Sequence, residues 1–214
     1  MVERRHTRVK ICGITSVEDA RMVIDAGADA IGLVFAGSKR RVDIDTARAI
    51  AQCVPPFVSV VGVFMDAPVD EVLAVATAVG CDTVQLHGNE DPAYCRRVME
   101  AGYRVIKRIH VCNTDTSAQL WARMETYRVH GFLLDPGAGD GRSFPWSIAR
   151  GLTGPIIVAG GLTPANVRDV LRVLRPYAVD VSSGVERAPG KKDPEKVRAF
   201  LHAVRWYDAT LLAG

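Results

Sequence analysis

The chain predicts one (β/α)8 barrel with short loops, spanning residues 1–214 as a single domain. Three observations predict it. Short apolar runs alternate with amphipathic segments from end to end, the pattern of parallel strands joined by crossover helices. The alternation repeats eight times, which favours a closed barrel over an open doubly wound sheet. Several helical segments stop at a glycine, at Gly27, Gly80 and Gly102, as a left-handed C-cap requires.

The first strand is expected over Val9–Ile14, and Ser16 with Asp19 reads as a capping signal for a helix over Ser16–Ala26. A strand at Ala30–Phe35 precedes a helix at Asp45–Gln52, and one at Val58–Phe64 precedes Val69–Val79, just after Pro68. Thr83–His87 leads into Pro92–Ala101, which has proline in its first turn. Arg104–Ile109 and Asp115–Tyr127 make the fifth unit. The sixth is the weakest: Gly131–Asp135 runs into a glycine-rich loop over Pro136–Pro145, with only a stunted helix after it. That loop is expected to be the most mobile part of the catalytic face. Pro155–Ala159 with Pro164–Leu174, and Ala178–Val181 with Pro194–Trp206, complete the eight.

The 214 residues are 48% hydrophobic and 24% charged, as in a soluble globular protein large enough for a sizeable core. A net charge of +3 is too small to point to nucleic acid. No apolar run approaches the ~18 residues of a membrane span, and the charged Met1–Arg8 segment argues against secretion. Five scattered cysteines, with no Cys-x-x-Cys, suggest neither disulfides nor zinc, so reduced thiols in a cytoplasm are expected. No His/Asp/Glu cluster has metal-ligand spacing, and no Gly-x-Gly-x-x-Gly follows the first strand to hold a dinucleotide.

In a barrel of this kind chemistry sits at the C-terminal ends of the strands. Cys12 stands where the first strand runs out, and reads either as a reactive thiol or as a small buried strand residue. Asp135 ends the sixth strand. The two strands are not neighbours, so Cys12 and Asp135 should face each other across the mouth. A thiolate base opposite a carboxylic acid is a geometry for moving protons. Lys10 shares the face of Cys12, and its ammonium is expected to favour the thiolate. Asp180, on the strand that closes against the first, reaches the same layer, either as part of the site or in a structural ion pair with Lys10.

Gln85 and His87 face the same way at period two. His87 reads as an acid or ligand, or equally as a hydrogen-bonded residue at a strand end. Gly160-Gly161 and Ser183-Gly184 follow the last two strands. Exposed backbone N–H groups in such turns bind oxyanions, and a phosphate site after strands seven and eight recurs in barrels. Arg40 suits an acidic substrate, whereas Arg41 is expected to be solvated. His6, His130 and His202 are expected at the surface, and Cys53, Cys81, Cys95 and Cys112 in packing roles.

Read together, these pieces resemble the phosphoribosylanthranilate isomerase family of tryptophan biosynthesis. The matching segments are Lys10-Ile-Cys-Gly-Ile-Thr15, Ser38-Lys-Arg40, Val60-Val-Gly-Val-Phe64, Val84-Gln-Leu-His-Gly88, Leu133-Leu-Asp135, Ala159-Gly-Gly-Leu-Thr-Pro164 and Val179-Asp-Val-Ser-Ser-Gly-Val-Glu186, followed by Pro189-Gly-Lys-Lys-Asp193. The resemblance implies a barrel enzyme without cofactor or metal, acting on a small phosphorylated sugar–anthranilate as a monomer or a homodimer. It implies an Amadori rearrangement with Cys12 as general base and Asp135 as general acid. It places Arg40 at the anthranilate end and Gly160, Gly161, Ser183 and Gly184 at the phosphate; Gln85, His87 and Asp180, from their positions at the strand ends, are expected at the substrate.

The sixth loop departs from the family pattern. Where the family usually reads Gly-Gly-Thr-Gly and then Phe-Asp-Trp, this chain has Ala138-Gly-Asp-Gly141 and Phe144-Pro-Trp146. Asp140 adds a negative charge beside an anionic substrate, and Pro145 replaces an aspartate that would cap the next helix. Two other barrel enzymes fit less well. A ribulose-phosphate epimerase needs a His/Asp metal site, and an isomerase serving both the histidine and tryptophan pathways would carry aspartate where Cys12 stands. A barrel that binds a phosphorylated ligand without turning it over is the non-enzymatic alternative.

Overall fold

Runs of β-branched and aliphatic residues build the wall, and they close on themselves. The structure, a computed structural model, describes residues 6–137 and 141–211. Eight parallel strands form a closed barrel: β1 (Arg8–Cys12), β2 (Ala30–Val34), β3 (Ser59–Phe64), β4 (Thr83–Leu86), β5 (Arg104–His110), β6 (Gly131–Asp135), β7 (Ile156–Val158) and β8 (Ala178–Val181). Closure sets β1 against β8, with Lys10 opposite Asp180 and Ile11 opposite Val181.

The helices are α1 (Val17–Asp25), α2 (Ile44–Gln52), α3 (Val69–Val79), α4 (Pro92–Glu100), α5 (Ser117–Met124), α6 (Val167–Leu174) and α7 (Pro194–Thr210). Their starts follow local chemistry. Ser16, Asp43, Asp91 and Thr116 each accept a backbone N–H of the first turn, which satisfies donors that the helix itself leaves open. In the sixth unit a single 3-10 turn, Trp146–Ala149, stands in place of a helix, and Pro145 before it offers no side-chain cap.

The main core lies between barrel and helices, where Ile11, Leu33, Leu86 and Leu134 pack with Val23, Leu120 and Phe200. A small apolar cluster of Leu133, Ile157, Ala159 and Ala178 is separate from it. The two ends of the chain are tied at the barrel's N-terminal face. Thr7 donates its N–H and its hydroxyl to the Asp208 carboxylate, both at 2.8 Å, and Arg205 bonds the Thr7 carbonyl.

Two features differ from the expectations above. A short antiparallel hairpin, β9 (Glu186–Ala188) and β10 (Lys191–Lys192), follows a 3-10 turn at Ser183–Val185. It is made of charged residues without apolar alternation, so no strand signal marks it. Cys112 is exposed rather than packed, in the loop after β5, where its N–H bonds Asp115. Ala138 and Asp140, and the centre of the loop expected to be mobile, lie outside the described residues. Among the described residues no helix is long and apolar enough to cross a membrane.

Candidate active site

A cavity of about 880 Å³, its open mouth included, occupies the C-terminal end of the barrel. Cys12, Arg40, Gln85, His87, Asp135, Gly160, Gly161, Asp180 and Ser183 all line it. Elements distant in sequence thus deliver nearly all the residues singled out above to one space. Gly184 stands just behind the lining. A Cβ there would run into the Leu162 carbonyl, so glycine lets the β7 and β8 loops touch.

β1 carries both Lys10 and Cys12 to the interior. The Lys10 ammonium bonds both Asp180 oxygens, at 3.0 and 2.9 Å, with both side chains buried. Burial pulls the Lys10 pKa down, but Asp180 and the neighbouring Cys12 outweigh it and hold the pKa above its usual value. The expectation for Cys12 needs correction. Burial raises its pKa, and the attraction of Lys10 offsets this only in part because Asp180 opposes it. The free cavity therefore favours the thiol over the thiolate.

β4 and β6 build the opposite wall. Gln85 Nε2 lies 3.1 Å from His87 Nδ1, and an amide N–H there can only donate, so Nδ1 accepts and the ring proton sits on Nε2. His87 Nε2 lies 3.4 Å from both Asp135 Oδ2 and the Gly137 carbonyl. Burial, with Arg108 nearby, lowers the His87 pKa to about 4, so the imidazole is neutral near pH 7. Asp135 also accepts the Gly137 N–H, at 3.0 Å. His87 is hydrogen-bonded at the strand end, through Nε2 to the Gly137 carbonyl and through Nδ1 to Gln85, and it lines the cavity beside Asp135.

The β7 and β8 loops present backbone donors. Gly160 and Gly161 have φ of +89° and +62°, conformations that suit glycine. The N–H groups of Gly160, Gly161, Ser183 and Gly184 bond no described acceptor. Unpartnered amides from two adjacent turns make an anion-binding concavity.

Arg40 is not an isolated loop side chain. Its Nε and Nη2 each donate to Glu186 at 2.8 Å, and this pairing raises its pKa further. Arg41, His6, His130 and His202 are exposed, as expected. Sequence reasoning assigned no part to Glu186 or Lys192, since a charge pair closed between a hairpin and a distant loop leaves no local periodic signal. Arg142 also lines the cavity and was likewise passed over. Among the described residues, no three His, Cys, Asp or Glu side chains are placed to hold a metal ion.

Known proteins resemble this chain in sequence and fold. Residues 9–203 match the family model described as N-(5'-phosphoribosyl)anthranilate (PRA) isomerase. An N-(5'-phosphoribosyl)anthranilate isomerase of Moorella thermoacetica is 48% identical over 207 residues, covering 92% of this chain and 89% of the relative. One from Geotalea uraniireducens is 51% identical over 203 residues, covering 91% and 97%. The crystal structure of the Thermus thermophilus enzyme superposes with a TM-score of 0.86 at 40% identity, covering 96% of this chain and all of that one. A phosphoribosylanthranilate isomerase solved in complex with reduced 1-(o-carboxyphenylamino)-1-deoxyribulose 5-phosphate gives 0.84 at 42% identity, covering 94% and 99%. With the closed barrel and the gathered residues, these likenesses show that the chain belongs to the N-(5'-phosphoribosyl)anthranilate isomerase family and is an isomerase of tryptophan biosynthesis.

Proposed function

We propose that the chain converts N-(5'-phosphoribosyl)anthranilate to 1-(2-carboxyphenylamino)-1-deoxyribulose 5-phosphate by an Amadori rearrangement under general acid–base catalysis. Asp135 protonates the furanose ring oxygen, and the C1'–O bond breaks to leave an iminium. Cys12 then removes the C2' proton. The resulting enolamine tautomerises to the ketone. One proton is given and one taken, so the step balances as an isomerisation.

The observation that carries this reading is that Cys12 and Asp135, from non-adjacent strands, line one cavity together with the β7 and β8 turns, whose Gly160, Gly161 and Ser183 amides bond no described acceptor. Those amides, with that of Gly184, receive the phosphate. Arg40 meets the anthranilate carboxylate with its guanidinium held in place by Glu186. The Gly137 amide is a donor that steadies the Asp135 carboxylate once its proton has left, and His87 Nε2 holds the Gly137 peptide from its carbonyl side. Asp180 serves the site through Lys10. Bound substrate also changes the balance at Cys12: a cationic imine next to the sulfur favours the thiolate that burial disfavours.

We also propose that residues 1–214 work as one catalytic domain in the cytoplasm. A relative from Thermotoga maritima is described as dimeric, so a homodimer is the assembly to look for. The direct test is the loss of phosphoribosylanthranilate fluorescence on adding purified protein. Turnover with the expected product on mass analysis supports the reading. Binding of the substrate without its conversion overturns it and favours a ligand-binding barrel.

A further inference from the structure

The β9–β10 hairpin lies outside the barrel, yet two of its side chains reach the site. Lys192 is 1% exposed. Its ammonium donates to the Cys12 carbonyl at 2.6 Å, to Glu186 Oε1 at 2.9 Å and to the Ser182 carbonyl at 3.4 Å. The Cys12 carbonyl also accepts from Ser182 Oγ, at 3.0 Å. Glu186 holds Arg40 by two bonds and accepts the Gly190 N–H at 3.2 Å. The Lys192 N–H in turn bonds Asp19 of α1, at 3.0 Å. Lys192, Glu186, Arg40 and the end of β1 thus form one connected unit.

We propose that Lys192 is a positioning residue for Cys12 and Glu186 one for Arg40, so that this hairpin sets the spacing between the base and the cation that meets the aromatic carboxylate. The proposal rests on the reading of Cys12 as the base. Cys12 is the last residue of β1, paired there with Gly32, and the peptide that follows it is held on its N–H side by Gly13 donating to the Gly32 carbonyl at 2.9 Å and on its carbonyl side by Lys192 and Ser182. A bond to its carbonyl fixes the peptide plane at that point, and with it the direction of the Cα–Cβ bond. Misplacing a reacting group by about 1 Å can cost ~100-fold in rate.

The charge of Lys192 has a second effect. Around the Cys12 sulfur stand Lys10, Lys192 and Arg40, with Asp180 and Glu186 as their partners. Three cations face two anions, so the set is neutral only when Cys12 is a thiolate. Without the Lys192 ammonium the thiolate becomes an uncompensated buried anion.

The test uses the full chain with Lys192→Met and with the double variant Lys192→Met, Glu186→Gln. The second removes both buried charges, so it leaves no carboxylate without its ammonium. Lys192→Gln keeps a donor for the Cys12 carbonyl without the charge. Two quantities are read on folded protein. One is kcat and KM. The other is the pH midpoint of Cys12 alkylation by iodoacetamide, with peptide mass spectrometry to separate Cys12 from the other cysteines. Lys192→Met is expected to lower kcat by roughly 10- to 100-fold with KM nearly unchanged. The double variant should also raise KM, because Arg40 is released. The alkylation midpoint should rise by about 1 pH unit in Lys192→Met and Lys192→Gln and stay near wild type in the double variant, whose remaining charges again balance a thiolate; Lys192→Gln should keep more of kcat than Lys192→Met. A variant with reduced Tm but unchanged kcat and an unchanged midpoint overturns the proposal and leaves Lys192 a structural residue. Failure of the base reading shows separately: Cys12→Ser would then keep its turnover, whatever the alkylation midpoint does.

Discussion

His87 and Asp135 meet although a whole strand separates theirs. His87 follows β4, Asp135 ends β6, and Nε2 lies 3.4 Å from Oδ2 past the intervening β5. The contact depends on a neutral imidazole with its proton on Nε2, which Gln85 enforces from the other side at 3.1 Å. The ring N–H bonds the Gly137 carbonyl while the Gly137 N–H bonds Asp135, so Gly137 links the two side chains.

The burial of His87 beside Arg108 gives stability a pH dependence. The His87 pKa falls from 6.5 to about 4 on folding, so between these values the unfolded chain binds more protons than the folded one. Stability rises with pH across that window, and the contribution is complete above pH 6.5 and lost as pH falls through 4. A shift of this size corresponds to something on the order of 3 kcal/mol. Urea midpoints of the wild type and of His87→Gln, compared at pH 7 and pH 4.5, isolate it from carboxylates common to both. The wild type should lose more than the variant on acidification. An equal loss in the two would show that His87 does not titrate as described.

Cys12→Ser should keep the fold and lose turnover by roughly 10²- to 10⁴-fold, the usual worth of a general base. The hydroxyl is nearly isosteric but far too weakly acidic to serve. Steady-state fluorescence kinetics measure it, and activity within a few fold of wild type would remove Cys12 from the mechanism.

Asp135→Asn should lower kcat with little effect on KM. The amide fills the same space, but it cannot supply the proton that opens the ring. A variant that keeps kcat while KM rises would make Asp135 a binding residue instead.

Gly184→Ala should damage both the fold and the phosphate site. The added methyl meets the Leu162 carbonyl, which is backbone and cannot swing aside. Overpacking of this kind costs about 1–3 kcal/mol. The two loops would separate, so inhibition by inorganic phosphate should weaken more than kcat falls. Unchanged phosphate inhibition in a folded variant would place the anion elsewhere.

Most of the architecture was readable because each strand is a local apolar run and each helix begins at a local cap such as Ser16 or Asp91. Local signals also carried Cys12, Asp135 and the two glycine turns, since strand ends in a parallel barrel share one face. What escaped was long-range and electrostatic. The period-two pattern put Lys10 beside Cys12 correctly, but it carried no information on burial, and burial reverses the sign of the Cys12 shift. Glu186 and Lys192 sit in strands of three and two residues, too short for periodicity to register. The end of α7 ran four residues past the expected Trp206, because Tyr207 and Asp208 are buried against the barrel rather than left in solvent.

The closure of β1 against β8 also fixes when the site can exist. A ribosome emits Lys10 and Cys12 first, yet Asp180 lies 170 positions after Lys10, and Lys192 180 positions after Cys12. At roughly 5–20 residues per second, the first strand waits on the order of 10–30 s for its partner. Through that interval the nascent chain carries an unpaired strand edge and an ammonium with no counter-ion. The Thr7–Asp208 tie needs a longer wait still, since 201 positions separate its partners. Vectorial synthesis therefore leaves the thiol without its electrostatic setting until β8 and the hairpin after it have been made.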